Sequence, residues 1–213
     1  MDKKIKGGVY LVIDPVMDEQ VLLEKVTQAL EGGVQVLQIW NHWPEHFALA
    51  DKQALVEAIL KVSRQYHVPT LINEAWELLQ HTALDGVHFD SIPEDYENIK
   101  KEVGRLFVSG ITCSNDLAVI TWAEKHKLDY VSFCSMFPSS SVDSCEIVRP
   151  ETVKSARAIT QMPIFLSGGI TTGNLATLEA LDFNGVAVIS GILSADSPKA
   201  SAASYQNALQ TIK

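Results

Sequence analysis

Residues 164–192 read IFLSGGITTGNLATLEALDFNGVAVISGI. Two short apolar runs, Ile164–Leu166 and Val186–Ile189, each lead into a polar residue and glycine: Ser167-Gly168-Gly169-Ile170 after the first, Ser190-Gly191-Ile192 after the second. Runs of this length, rich in β-branched residues and closed by turn formers, read as strands buried on both faces. The same rhythm runs outward through Val9–Ile13, Val34–Trp40, Thr70–Ile72, Gly86–Phe89, Leu106–Ile111 and Tyr130–Phe133, which makes eight candidate strands. Between them apolar residues recur three and four apart, as in Leu22, Val26, Ala29 and Leu30 or Leu55, Ile59 and Val62, so each linking segment buries one helical stripe. In the fourth unit Pro93–Val103 has to supply the helix.

Each unit takes about 27 residues, enough for a strand, two loops and a modest helix. The expectation is α/β: a single (β/α)8 TIM barrel spanning 1–213, with no Pro/Gly/Ser linker to divide it. A doubly wound sheet has fewer strands and a Gly-rich first turn. Asp14-Pro15-Val16-Met17 is not such a turn.

Composition narrows the partners. The 213 residues are 46% hydrophobic and 20% charged, with 17 Lys plus Arg against 26 Asp plus Glu. A net charge of −9 without a basic run argues against nucleic acid and against an anionic membrane surface. Three cysteines without C-x-x-C spacing fit a reducing compartment. The start, MDKKIKGGVYLVID, lacks the apolar region of a signal peptide, so a cytoplasmic protein is expected.

In a barrel, residues just after each strand face one mouth. Glycines after strands seven and eight let backbone N–H groups approach an anion, and a helix start adds uncompensated donors. Gly168, Gly169, Ile189, Ser190 and Gly191 are therefore candidate phosphate contacts. The plainer reading is that Gly168-Gly169 is only a strand-to-helix turn.

Read with YLVID (10–14), EGGVQVLQ (31–38), PTLIN (69–73), DGVHF (85–89), DYVSF (129–133), MFPSSS (136–141) and VAVISGI (186–192), these loops resemble the thiamine phosphate synthase family and its TenI-type thiazole tautomerase relatives. The resemblance runs in register from Val9 to about Ile192. It implies a (β/α)8 barrel that joins hydroxymethylpyrimidine diphosphate to a thiazole phosphate with Mg²⁺, releasing pyrophosphate. It carries catalytic roles onto Gln38, Asn73 and Ser139, and substrate contacts onto Ser141 and Thr112; His88, on the fourth strand, is a further binding candidate if it points to the barrel mouth.

The departures fall where charge is expected. The family's Gln-Leu-Arg-x-Lys becomes Gln38-Ile39-Trp40-Asn41-His42, which leaves Trp40 and His42 as the binding candidates. Asn-Asp becomes Asn73-Glu74, and the Gly-Gln that precedes a metal-binding Asp becomes Asp90-Ser91, so Glu74 and Asp90 are the metal candidates. The family's Ser-x-His becomes Thr112-Cys113-Ser114, and Phe-Pro-Thr-x-Thr-Lys becomes Phe137-Pro138-Ser139-Ser140-Ser141-Val142. A leaving diphosphate develops negative charge, and each lost charge-assisted contact removes about 1.5–3 kcal/mol.

Other motifs have plainer accounts. His42-Trp43-Pro44-Glu45-His46 matches a zinc-hydrolase pattern, but Pro44 breaks the helical turn that would align both histidines. Trp40 and Trp43 either stack on a ligand ring or pack the loop, and His88 reads foremost as a hydrogen-bonded interior histidine. Cys113 and Cys134 read as small filler, and Glu94, Asp95 and Glu97 as a solvated helix start. Ser139–Ser141 either bind an anion or form a mobile loop. Two functions stay open: a synthase-like enzyme acting on a small-molecule phosphate substrate, and a non-catalytic phosphate-ligand-binding or regulatory paralogue. A homo-oligomer is compatible with either, and an unrelated phosphate-handling barrel fits the motif order poorly.

Overall fold

The computed structural model describes residues 5–138 and 146–212. Eight parallel strands close in sequence order: β1 (Gly8–Ile13), β2 (Val36–Ile39), β3 (Thr70–Asn73), β4 (Gly86–Phe89), β5 (Val108–Thr112), β6 (Tyr130–Cys134), β7 (Ile164–Ser167) and β8 (Gly185–Val188). β8 returns to β1 with Val9 opposite Val186, so no strand edge is left open. Outside lie α1 (Glu19–Glu31), α2 (Leu49–Ser63), α3 (Leu78–His81), α4 (Tyr96–Val103), α5 (Leu117–His126), α6 (Pro150–Ala156), α7 (Ser190–Leu193) and α8 (Pro198–Thr211).

Local chemistry sets the helix starts. Asp18, Asp95 and Ser197 each accept a backbone N–H three residues on, and proline opens α6 and α8, where a missing N–H costs nothing. α1 buries the expected Leu22, Val26, Ala29 and Leu30. α2 buries Leu55, Val56, Ile59 and Leu60, while Val62 is only partly covered. The fourth unit does supply a helix, beginning at Tyr96 behind its Asp95 cap.

Several boundaries differ from the sequence reading: β2, read as Val34–Trp40, runs only from Val36 to Ile39, and β8, read as Val186–Ile189, runs from Gly185 to Val188. Leu106 is 96% exposed in the loop before β5, so that strand starts later than its apolar run. After β7 there is only a 3₁₀ turn, Leu175–Leu178. Ahead of it, Thr171 and Asn174 cap each other, the Thr171 N–H donating to Asn174 Oδ1 and the Asn174 N–H to Thr171 Oγ1.

Strand alternation separates two apolar regions. One lies between barrel and helices. The other, inside the barrel, is built from Ile5, Tyr10, Val36, Leu71, Tyr130 and Phe165. Large rings fit there because small residues stand opposite: a Cβ on Gly110 would lie 2.1 Å from Tyr130 Cζ, and one on Gly185 would lie 2.5 Å from Phe165 Cε1. Above this plug, inward positions turn polar: Gln38, Asn73, His88, Thr112 and Ser132. Among the described residues no helix is long and apolar enough to cross a membrane.

Candidate active site at the carboxyl ends of the strands

The polar layer is a connected chain of side chains. Tyr10 on β1 donates its hydroxyl proton to Gln38 Oε1 at 2.6 Å and meets the Tyr130 hydroxyl at 2.9 Å. Tyr130 lies 2.9 Å from His88 Nδ1, and His88 Nε2 lies 2.9 Å from Thr112 Oγ1. A phenol has one proton to give, so the bond to Gln38 orders the rest. Tyr130 donates to Tyr10, His88 Nδ1–H donates to Tyr130, and Nε2 accepts from the Thr112 hydroxyl. Burial pushes the His88 imidazole down to about 4, which keeps it neutral in this role. Burial raises both tyrosines well above the ordinary phenol range. Gln38 Nε2 is thereby left as a donor at the mouth, and Thr112 Oγ1 as an acceptor.

Beside this chain, Asn73 Nδ2 donates to Asp90 Oδ1 at 2.9 Å. Glu74 follows at φ 57°, in the left-handed region, and its Oε1 accepts the Asp90 N–H at 2.5 Å. Burial raises the Glu74 carboxyl, and the Asp90 charge adds to the rise against the pull of backbone N–H groups. Gln38, Asn73, His88, Thr112, Glu74 and Asp90 thus form one cluster from β2 to β5.

The two glycine turns sit together on the other side. β7 and β8 pair with Ser167 opposite Ala187, which puts Gly168-Gly169 and Ile189-Ser190-Gly191 next to each other at the same end. Among the described residues, the N–H groups of Gly169, Ser190 and Gly191 have no hydrogen-bond acceptor. Their glycines also have a packing cause. A Cβ on Gly168 would lie 1.8 Å from Ser135 Oγ, one on Gly169 2.5 Å from the Pro138 carbonyl, and one on Gly191 2.3 Å from the Tyr205 hydroxyl. Gly168 and Gly169 also take φ 84° and 64°. Close packing therefore requires glycine here, whatever the N–H groups bind.

The β2 loop carries the remaining candidates. The Trp40 ring lies 4.8 Å from the His42 ring, and His42 Nδ1 lies 3.1 Å from Asp14 Oδ1. Trp43 packs within its loop, donating to Asn41 Oδ1 and sitting under the Lys52 ammonium. Among the described residues no group of three His, Cys, Asp or Glu side chains could hold a metal, so the zinc pattern has no counterpart in space. Cys113 is buried, its thiol pushed up to about 12 by burial, which suits filler and not a nucleophile. Ser139 and Ser141 lie outside the described residues.

Sequence reading missed Tyr10, Tyr130 and Asp14. The two tyrosines lie within apolar strands and read as core. The available signal was strand parity, since both point inward in the layer below Gln38 and His88.

A closed parallel barrel with a polar inner layer and two adjacent glycine turns at its carboxyl end defines a (β/α)8 barrel protein. Residues 9–192 match the family model described as thiamine monophosphate synthase, and the chain belongs to that family. It is 31% identical to the thiamine-phosphate synthase of Geobacillus kaustophilus, over 100% of this chain and 96% of that one. It is 32% identical to that of a Janthinobacterium species, over 93% and 94%. A solved structure of the thiamine phosphate pyrophosphorylase of Pyrococcus furiosus superposes with a TM-score of 0.81 at 20% identity, covering 97% of each chain.

Proposed function

We propose that this protein is a thiamine phosphate synthase-like enzyme of thiamine biosynthesis. In the reaction, the thiazole nitrogen forms a bond to the pyrimidine's methylene carbon. The carbon–oxygen bond to the diphosphate breaks, and pyrophosphate leaves with the electron pair. The observation that carries the reading is the pair of turns on β7 and β8, whose Gly169, Ser190 and Gly191 N–H groups have no protein acceptor among the described residues. Backbone donors hold a phosphate without needing a cation.

The residues at Glu74 and Asp90 fit a magnesium ion. Their donors are hard oxygens, the two carboxylates adjoin, and their mutual repulsion is one cause of the raised Glu74 carboxyl. Glu74 and Asp90 would hold the ion, leaving its other positions to water and substrate oxygens. Bound there, magnesium would neutralise charge on the leaving diphosphate. Gln38 and Thr112 offer a donor and an acceptor to the ring that sits over them, while the apolar plug below keeps water from beneath it.

Trp40 and His42 at positions where the family carries cations favour a second reading, in which the protein binds a phosphorylated ligand without turning it over. Pyrophosphate release is assayed with both substrates and Mg²⁺. Turnover establishes the synthase reading. Stabilisation by the thiazole phosphate without turnover establishes the second.

A further inference from the structure

In the polar layer above the plug, Gln38 is bonded to Tyr10, His88 to Tyr130 and Thr112, and Asn73 to Asp90. Ser132 on β6 is the exception. It is only 5% exposed, yet its hydroxyl has no hydrogen-bond partner among the described residues. Strand alternation puts Ser132 on the inner face two residues above Tyr130, and it pairs with Phe165 of the plug on β7. Among the described residues, the one wholly enclosed polar side-chain atom without a partner is Gln206 Oε1 on α8, so the Ser132 oxygen is not sealed inside the protein. With the plug below it, that oxygen opens upward to the mouth. A buried hydroxyl is ordinarily bonded, and here the missing partner has to come from a ligand.

Ser132 stands opposite Thr112 in the β5–β6 ladder. Thr112 gives its proton to His88 Nε2, so toward the mouth its oxygen offers lone pairs only. The two neighbours therefore present an acceptor beside a hydroxyl that is free to donate. We infer that Ser132 is a specificity-determining residue: its O–H donates to a ring nitrogen of the ligand, while Thr112 Oγ1 accepts from an amino group on the adjacent ring carbon. The edge so defined is that of an aminopyrimidine. A lactam edge, with N–H beside C=O, carries the same order of donor and acceptor, and the experiment separates the two. This inference rests on the proposed function in taking the ring at the mouth to be a pyrimidine.

The probes are the free hydroxymethylpyrimidine with its amino group, the same ring with hydrogen in that place, and the ring with an oxo group there, each titrated calorimetrically against the full chain. Ser132→Ala should weaken the amino ring and the unsubstituted ring alike, about three- to tenfold, the size of one neutral hydrogen bond, because both keep the ring nitrogen. Thr112→Val should weaken the amino ring and leave the unsubstituted ring nearly unchanged. The Tm of ligand-free Ser132→Ala should match wild type, since the hydroxyl holds nothing in the protein. Equal affinities of wild type and Ser132→Ala overturn the inference, as do a lowered Tm in ligand-free Ser132→Ala, tighter binding of the oxo ring than of the amino ring, and failure of the amino ring to bind the wild type. Ser132-dependent binding in a protein that releases no pyrophosphate from both substrates sinks the synthase reading instead and leaves this one standing. Pyrophosphate release together with indifference to Ser132→Ala does the reverse.

Discussion

The hydroxyls of Tyr10 and Tyr130, 120 residues apart in the chain, meet 2.9 Å apart inside the barrel. This contact joins Gln38 on β2 to His88 and Thr112 on β4 and β5, so a single phenol orients groups on opposite sides of the mouth. Tyr130→Phe leaves the His88 Nδ1–H without its acceptor and the Tyr10 oxygen without its donor. Breaking a buried network in this way should cost roughly 1–3 kcal/mol. Urea denaturation reads the loss, and a Tyr10→Phe, Tyr130→Phe double variant should lose less than the sum of the two singles.

His88 gives stability a pH dependence. Its folded-state value of about 4 lies below that of an ordinary histidine near 6.5, so the unfolded chain binds the extra proton between these limits. The contribution is complete above about pH 6.5 and is lost as pH falls through about 4, an effect on the order of 3 kcal/mol. Denaturation midpoints followed from pH 7 to about 4 should decline more steeply for wild type than for His88→Gln. Equal slopes would show that the imidazole takes up its proton without disturbing the network.

The Tyr130 ring occupies space that Gly110 leaves on the neighbouring strand. In Gly110→Ala the new methyl would stand 2.1 Å from Cζ, inside a plug closed on all sides. The expected cost is roughly 1–3 kcal/mol, which for a chain of this size lowers Tm by about 2–4 °C per kcal/mol. Combining it with Tyr130→Leu should recover part of the loss, measured by differential scanning calorimetry.

These contacts explain why the barrel was legible in the sequence and its inner layer was not. A strand buried on both faces announces itself as an apolar run, and Val9–Ile13 or Gly86–Phe89 needed no partner to be recognised. Leu106 misled the same reasoning, because an apolar residue in a loop has no local mark that separates it from the strand it precedes. Tyr10 and Tyr130 counted as apolar, yet their polar ends meet only after the barrel closes. Asp14 follows the same rule: its partner His42 is 28 residues on, and only the β1–β2 pairing brings them together.

Glu74 should respond to magnesium. Its carboxyl is raised by burial and by the Asp90 charge, so its ionised form opposes folding, and the penalty appears as pH rises through the folded-state value. Glu74→Gln keeps an oxygen for the Asp90 N–H and drops the charge. Without added metal it should melt higher than wild type at neutral pH and alike below the ordinary carboxylate range. Millimolar Mg²⁺ should raise the wild-type Tm and leave Glu74→Gln nearly unmoved, since only a ligand of the folded state stabilises it. A magnesium response that survives in both Glu74→Gln and Asp90→Asn would place the ion elsewhere.

Gly191 separates packing from ligand binding at the β8 turn. The Tyr205 hydroxyl donates to the Ile170 carbonyl at 2.9 Å and so ties α8 to the neighbouring β7 turn, and the same oxygen lies 2.3 Å from where a Gly191 Cβ would stand. Gly191→Ala should therefore destabilise the free protein by about 1–3 kcal/mol before any ligand is added. Tyr205→Phe removes the clashing oxygen at the expense of one hydrogen bond, about 1 kcal/mol. In the double variant the alanine should cost less than it does alone, because the nearest remaining ring carbon is 3.1 Å away. If phosphate access alone required the glycine, Gly191→Ala would leave the melting temperature unchanged and weaken only phosphate-dependent stabilisation. A positive coupling between Gly191 and Tyr205 in ligand-free melts thus assigns this glycine to the packing of α8, and leaves the proposed anion contact to the Ser190 and Gly191 N–H groups alone.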